Sequence, residues 1–135
     1  LKAEALGDAN SGGLCNAKVF RLDKPYTVFR AYGGSASEIG RWWGWTPPYY
    51  DNGTKANYVQ RYNMCPEWGN TLSNVISCRV NAGTLIVMGP GQDVTCVDGT
   101  KHNQSKVNQV YIPNAWNYIN PLTDCSTPGT PEEWK

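Results

Sequence analysis

The sequence predicts a mainly β domain with one or two short helices, an α+β chain built as a sandwich or an open, split barrel and stapled by disulfides. Three observations carry that expectation. Short β-branched and aromatic stretches are separated by Gly, Pro and Asn/Asp punctuation, with turn signals roughly every 8–12 residues. Only one stretch has helical spacing. Five cysteines, Cys15, Cys65, Cys78, Cys96 and Cys125, occur without a CxxC pair, which suits disulfides in an oxidising compartment better than a zinc site.

In chain order, Ala17–Leu22 alternates and is broken by Lys24-Pro25. Tyr26–Tyr32 is β-branched and aromatic, stops at Gly33-Gly34, and is the strongest strand signal in the chain. Arg41–Trp45 carries three tryptophans and is closed by Thr46-Pro47-Pro48, so prolines confine it to a loop or a sheet edge. After the Asp51-Asn52-Gly53 turn, Lys55–Met64 places Ala56, Tyr58, Val59, Tyr62 and Met64 at helical spacing and ends at Pro66. Val75–Val80, Thr84–Met88, Val94–Val97 and Val107–Pro113 follow as strands, with Gly89-Pro90-Gly91 read as a hairpin tip. The chain is expected to be a single domain over 1–135 with irregular ends at 1–16 and 120–135, the latter pinned by Cys125. We expect Cys15 to pair with Cys125 and one bridge to form among Cys65, Cys78 and Cys96, leaving a fifth cysteine as a buried thiol or an intermolecular link.

Composition narrows function by exclusion. Twelve Lys+Arg against eleven Asp+Glu is no basic excess, which disfavours a nucleic-acid partner, and no apolar run is long enough to span a membrane. The sequons Asn52-Gly53-Thr54 and Asn103-Gln104-Ser105 suggest N-glycans at Asn52 and Asn103. Leu1–Gly13 lacks a signal-peptide hydrophobic region and reads as the start of a mature, secreted, extracellular eukaryotic protein. His102 is the one histidine, sits in a polar stretch and is expected to be exposed; no metal site is expected. There is no G-x-S-x-G elbow, no phosphate loop and no recognisable carboxylate pair among Glu38, Asp51, Glu67 and Asp93.

Six Trp and eight Tyr against two Phe form an aromatic set in which nearly every ring has a polar handle. Arg30 lies on the strongest strand, and Arg41 lies among Trp42, Trp43 and Trp45. An arginine on a rigid strand suits a diphosphate, because its planar fork makes paired charge-assisted hydrogen bonds. Tryptophan faces suit a flat cationic ring. The plainer reading is that Arg30 meets a carboxylate and the tryptophans fill a core.

Three blocks in order, Phe29-Arg30-Ala31-Tyr32-Gly33-Gly34, Gly40-Arg41-Trp42-Trp43-Gly44-Trp45-Thr46-Pro47 and Gln109-Val110-Tyr111-Ile112-Pro113-Asn114, resemble the ADP-ribosyltransferase toxin domains of the TreTu type found in bacterial polymorphic toxins. The similarity spans Thr27 to Asn114, about two-thirds of the chain. It implies an ADP-ribosyltransferase-like split β-sandwich that binds NAD, as substrate, between its sheets. By that resemblance Arg30 contacts the phosphates and ribose, and Tyr32, Gly33 and Arg41 belong to the same binding surface. Trp42 or Trp43, with Thr46, lines the nicotinamide side, and Gln109 takes the position of the catalytic glutamate.

A glutamine at that position is similar to the tuberculosis necrotizing toxin group, which includes secreted fungal NAD glycohydrolases. The expected activity is therefore that of a secreted toxin or effector which cleaves the nicotinamide–ribose bond and passes ADP-ribose to water or to a target macromolecule. Glu38 and Asp93 are spare carboxylates with no motif behind them. The alternative class is a non-catalytic effector or elicitor, or a carbohydrate-binding module, acting through the Trp/Tyr-rich loop.

Overall fold

Two antiparallel sheets account for most of the backbone pairing. The computed structural model describes residues 2–7, 12–49, 53–105, 107–112 and 121–127. Its strands are β1 (Lys18–Arg21), β2 (Tyr26–Gly34), β3 (Trp42–Trp43), β4 (Asn70–Val80), β5 (Leu85–Pro90), β6 (Val94–Thr95), β7 (Lys101–His102), β8 (Asn108–Tyr111) and β9 (Leu122–Ser126). One sheet has the order β1-β5-β8-β3, a second has β2-β4-β9, and β6 and β7 form a separate pair. The helices are α1 (Lys2–Leu6) and α2 (Lys55–Arg61), with a 3-10 turn at Pro66–Trp68. The chain is thus mainly β, as its turn punctuation predicts.

Period-two alternation decides which side chains meet. Val28, Ile76, Cys78, Val80 and Leu122 from the three-stranded sheet pack with Trp43, Ile86 and Val110 from the four-stranded one. Each aliphatic side chain buried in this layer contributes about 1.5–3 kcal/mol. The outer face of the four-stranded sheet is covered by α1 and the segment after it, where Ala5, Leu14 and Ala17 meet Val87 and Tyr111. Helix α2 sets Tyr58 against Ala31, Leu72 and Val75. A capping box starts this short helix: Asn57 N donates to Thr54 Oγ1 at 3.1 Å, and Thr54 N donates to Asn57 Oδ1 at 2.9 Å.

The structure corrects four expectations. Cys125 pairs with Cys78, not Cys15, because β9 lies directly beside β4. Cys15 follows α1 near the other sheet and is an exposed free thiol, so it is not a buried one either. The remaining bridge, Cys65–Cys96, does fall within the expected trio. Gly89-Pro90-Gly91 is no hairpin tip: Gly89 and Pro90 pair with Gln109 and Asn108, and Gly91 continues into a bridge with Leu14. His102 is buried, because the β6–β7 pair folds it inward, and its Nε2 lies 2.9 Å from the Met64 carbonyl oxygen. The ends are not wholly irregular, since α1 and β9 occupy the described parts of both. Asn52 and Pro113–Asn114 lie outside the described residues, while Asn103 is exposed.

Candidate functional site

Strand β3 is only two residues long and pairs with Tyr111 and Val110. It stops before reaching Gln109, whose side-chain amide instead meets the carbonyl of Tyr62, just past α2. The result is a cleft of about 190 Å³ at the rim of the inter-sheet core. A cavity of about 150 Å³ admits benzene, so this one accepts a single aromatic ring with its substituents.

Arg30 and Gln109 both line the cleft, together with Trp42, Trp43, Tyr58 and Tyr62. Strand alternation brings them in from different directions. Arg30 shares the face of Val28, which looks into the inter-sheet core, whereas Gln109 shares the face of Tyr111, on the opposite side of its sheet from Val110.

Arg30 is half-buried and already engaged. Its Nε donates to the Ser37 carbonyl at 3.0 Å and its Nη1 to the Trp42 carbonyl at 3.1 Å, so it ties down the segment leading into β3. Gly40 makes room for this arrangement, because a β-carbon at that position would displace the guanidinium from these carbonyls. Among the described residues no carboxylate pairs with Arg30 and Nη2 has no partner, so the plain expectation of a carboxylate partner is not met. Burial pushes the Arg30 pKa below its ordinary value, an effect that Tyr58 opposes. The group stays cationic, and the shift reflects the cost of desolvating an unpaired charge.

Gln109 is 4% exposed. Its Nε2 donates to the Tyr62 carbonyl at 3.0 Å, and its Oε1 has no partner among the described residues. Tyr62 is itself fixed, with its ring 4.6 Å from that of Tyr58 and its hydroxyl bonded to Thr46. Below it, Asn63 Nδ2 reaches the carbonyls of Gly91, Gln92 and Asn103 at 3.3, 2.7 and 2.9 Å. Burial raises the pKa of Tyr58 to about 12 and also raises that of Tyr62, so both hydroxyls stay neutral across the physiological range, and that of Tyr58 accepts from the Ala31 N–H at 3.4 Å.

The tryptophans divide between jobs. Trp42 packs edge-on to Tyr111 at 4.9 Å and lines the cleft. Trp43 is 2% exposed, belongs to the inter-sheet core and donates its Nε1 to the Gly40 carbonyl at 2.8 Å. Trp45 faces a separate groove with Phe20, Tyr26, Ile86 and Met88. Tyr32, Gly33, Arg41 and Thr46 are not among the cleft-lining residues; Thr46 reaches the site only through the Tyr62 hydroxyl. Sequence reasoning passed over Tyr58, Tyr62, Met64, Trp68 and Asn70, which complete the walls. The signal for two of them was present, since Tyr58 and Tyr62 are four apart in the one stretch with helical spacing and so share a face.

No protein-family model, curated protein or solved structure matches this chain. Chemically, the described lining offers one cation, no carboxylate, several aromatic faces and a carboxamide with a free acceptor. That set suits a ligand carrying a flat ring, a hydrogen-bond donor and a negative charge.

Proposed function

We propose that this protein is a secreted NAD-consuming enzyme that breaks the nicotinamide–ribose bond and passes ADP-ribose to water or to a target. The observation that carries the reading is the convergence of Arg30 and Gln109, distant in sequence, on one ring-sized cleft walled by Trp42 and Trp43. In the same reading the two packed sheets are a split β-sandwich of the ADP-ribosyltransferase type, and the two disulfides fit an oxidising compartment.

The cleft is smaller than the roughly 300–1,000 Å³ of a pocket that encloses a whole drug-sized ligand. It would take the nicotinamide end, leaving the rest of the dinucleotide along the surface. Cationic nicotinamide rests on the aromatic walls. The free Nη2 of Arg30 reaches a phosphate oxygen, and Oε1 of Gln109 accepts from a ribose hydroxyl. Nicotinamide departs with the electrons of the glycosidic bond. The ribosyl cation is captured by water, which then releases a proton. With no carboxylate lining the cleft, the rate enhancement comes from orientation and from holding the leaving ring apart from bulk water.

The test is nicotinamide release from NAD by the pure protein. Release is expected from the wild type and about 100-fold less from Arg30→Ala or Gln109→Ala. No release with NAD alone or with added cell lysate sinks the enzymatic reading and favours a binding role. Release that survives Arg30→Ala, with the fold checked by circular dichroism, moves the chemistry elsewhere.

A further inference from the structure

Position 109 is held by its surroundings as an amide in one orientation. Gln109 comes from β8, and its Nε2 points to the Tyr62 carbonyl, an acceptor with no proton to offer. The space it occupies exists because Gly91 has no side chain, since a β-carbon there would lie 2.6 Å from Gln109 Nε2 and 3.4 Å from Asn63 Nδ2. Asn63 fixes both sides of this arrangement. It follows Tyr62 directly in the chain, has a left-handed backbone (φ 50°), and donates to the carbonyls of Gly91 and Gln92. Ser105 closes the clamp, with its Oγ donating to the Arg61 carbonyl and its N–H to that of Gly91 at 3.1 Å.

We propose that Tyr62, through its main-chain carbonyl, and Gly91, through its bare α-carbon, are positioning residues that make position 109 a neutral hydrogen-bond acceptor toward the cleft and exclude a carboxylate there. The inference rests on the cleft reading above for its functional meaning, but the geometry it describes is independent of the substrate. A carboxylate at 109 would set an oxygen against the Tyr62 carbonyl oxygen with no hydrogen between them, in a side chain almost removed from water. Protonated, it could donate to that carbonyl as the amide does. The site thus selects a ligand that brings its own donor, such as a sugar hydroxyl, and gives no anionic support to a developing cation.

Three measurements test this. The thermal midpoint of Gln109→Glu should approach that of the wild type near pH 4 and fall at least about 5 °C below it by pH 8. A carboxyl whose folded pKa is raised loses stability as pH climbs past its unfolded value of about 4.3. In the wild type, the Gln109 side-chain amide should show a proton protected from exchange, and Gly91→Ala should speed that exchange at least about tenfold. In the NAD assay, Gly91→Ala should lower kcat about tenfold with KM nearly unchanged.

Gln109→Glu as stable as the wild type at pH 8, or an unprotected Gln109 amide in the wild type, overturns the positioning claim. If Gln109→Glu folds at neither pH, the exchange measurement on the wild type decides. Protection and pH-dependent destabilisation without any nicotinamide release would leave the positioning intact and defeat the NAD reading. Release with a freely exchanging Gln109 amide would do the reverse.

Discussion

Between the two sheets, Val28, Ile76, Val80, Ile86 and Val110 meet through apolar contact. At the rim of that core, Asn63, Ser105 and Gln109 are just as buried, yet each is held by hydrogen bonds to main-chain carbonyls. Apolar packing is non-directional and tolerates exchange at constant volume. A buried hydrogen-bond clamp tolerates little, because removing one donor leaves desolvated carbonyls without a partner. The rim therefore trades robustness for fixed orientation, which is what a binding cleft requires.

Pairing a truncation with a shape-conserving swap in each region sharpens this contrast. Ile76→Ala should cost the most, about 2–5 kcal/mol in denaturant or thermal unfolding, while Ile76→Leu should cost less than about 1.5. Asn63→Ala should cost about 2–4 kcal/mol, and Asn63→Leu, which keeps the branched heavy-atom shape, no less, because what is lost is the donor to the Gln92 and Asn103 carbonyls. If Asn63→Leu proves as mild as Ile76→Leu, the two regions are not built on different principles.

The smallest expected effect lies in alkali. Burial raises the Tyr58 pKa to about 12, so the folded state keeps a proton that the unfolded chain releases above about pH 10. Stability should then fall with rising pH in that window, by up to about 1.4 kcal/mol per unit, and Tyr58→Phe should abolish that component in thermal scans between pH 8 and 11.5.

The strands of the core were legible because alternation and β-branched residues act locally, as in Tyr26–Tyr32 and Val75–Val80. Helix α2 was legible for the same reason, and the prolines after Trp45 correctly confined β3 to a sheet edge. Cysteine pairing was not, since Cys125 finds Cys78 only once β9 has docked on β4, a contact 47 residues apart. Gly91 misled because a glycine needed for close approach looks like one needed for a turn. His102 misled because its polar neighbours fold away from it. Of the candidate site, Arg30, Trp42, Trp43 and Gln109 line one cleft, whereas Tyr32, Gly33, Arg41 and Thr46 from the same blocks do not. What the blocks did not carry was the direction of each side chain, or that two of the three nitrogens of Arg30 are committed to the loop it anchors.

The sheets differ in width, four strands against three, and the extra strand, β1, leaves an overhang. Phe20 pairs across from Ile86, yet is 40% exposed on this edge strand. Beside it the groove toward Trp45 has a volume of about 750 Å³. A wet apolar shelf on an open sheet edge invites self-association, and Lys18 and Arg21, which bracket Val19-Phe20, supply the like charge that keeps two such edges apart. Colloidal behaviour should therefore depend on those two cations: salt, by screening them, lowers solubility at this edge before it disturbs the fold.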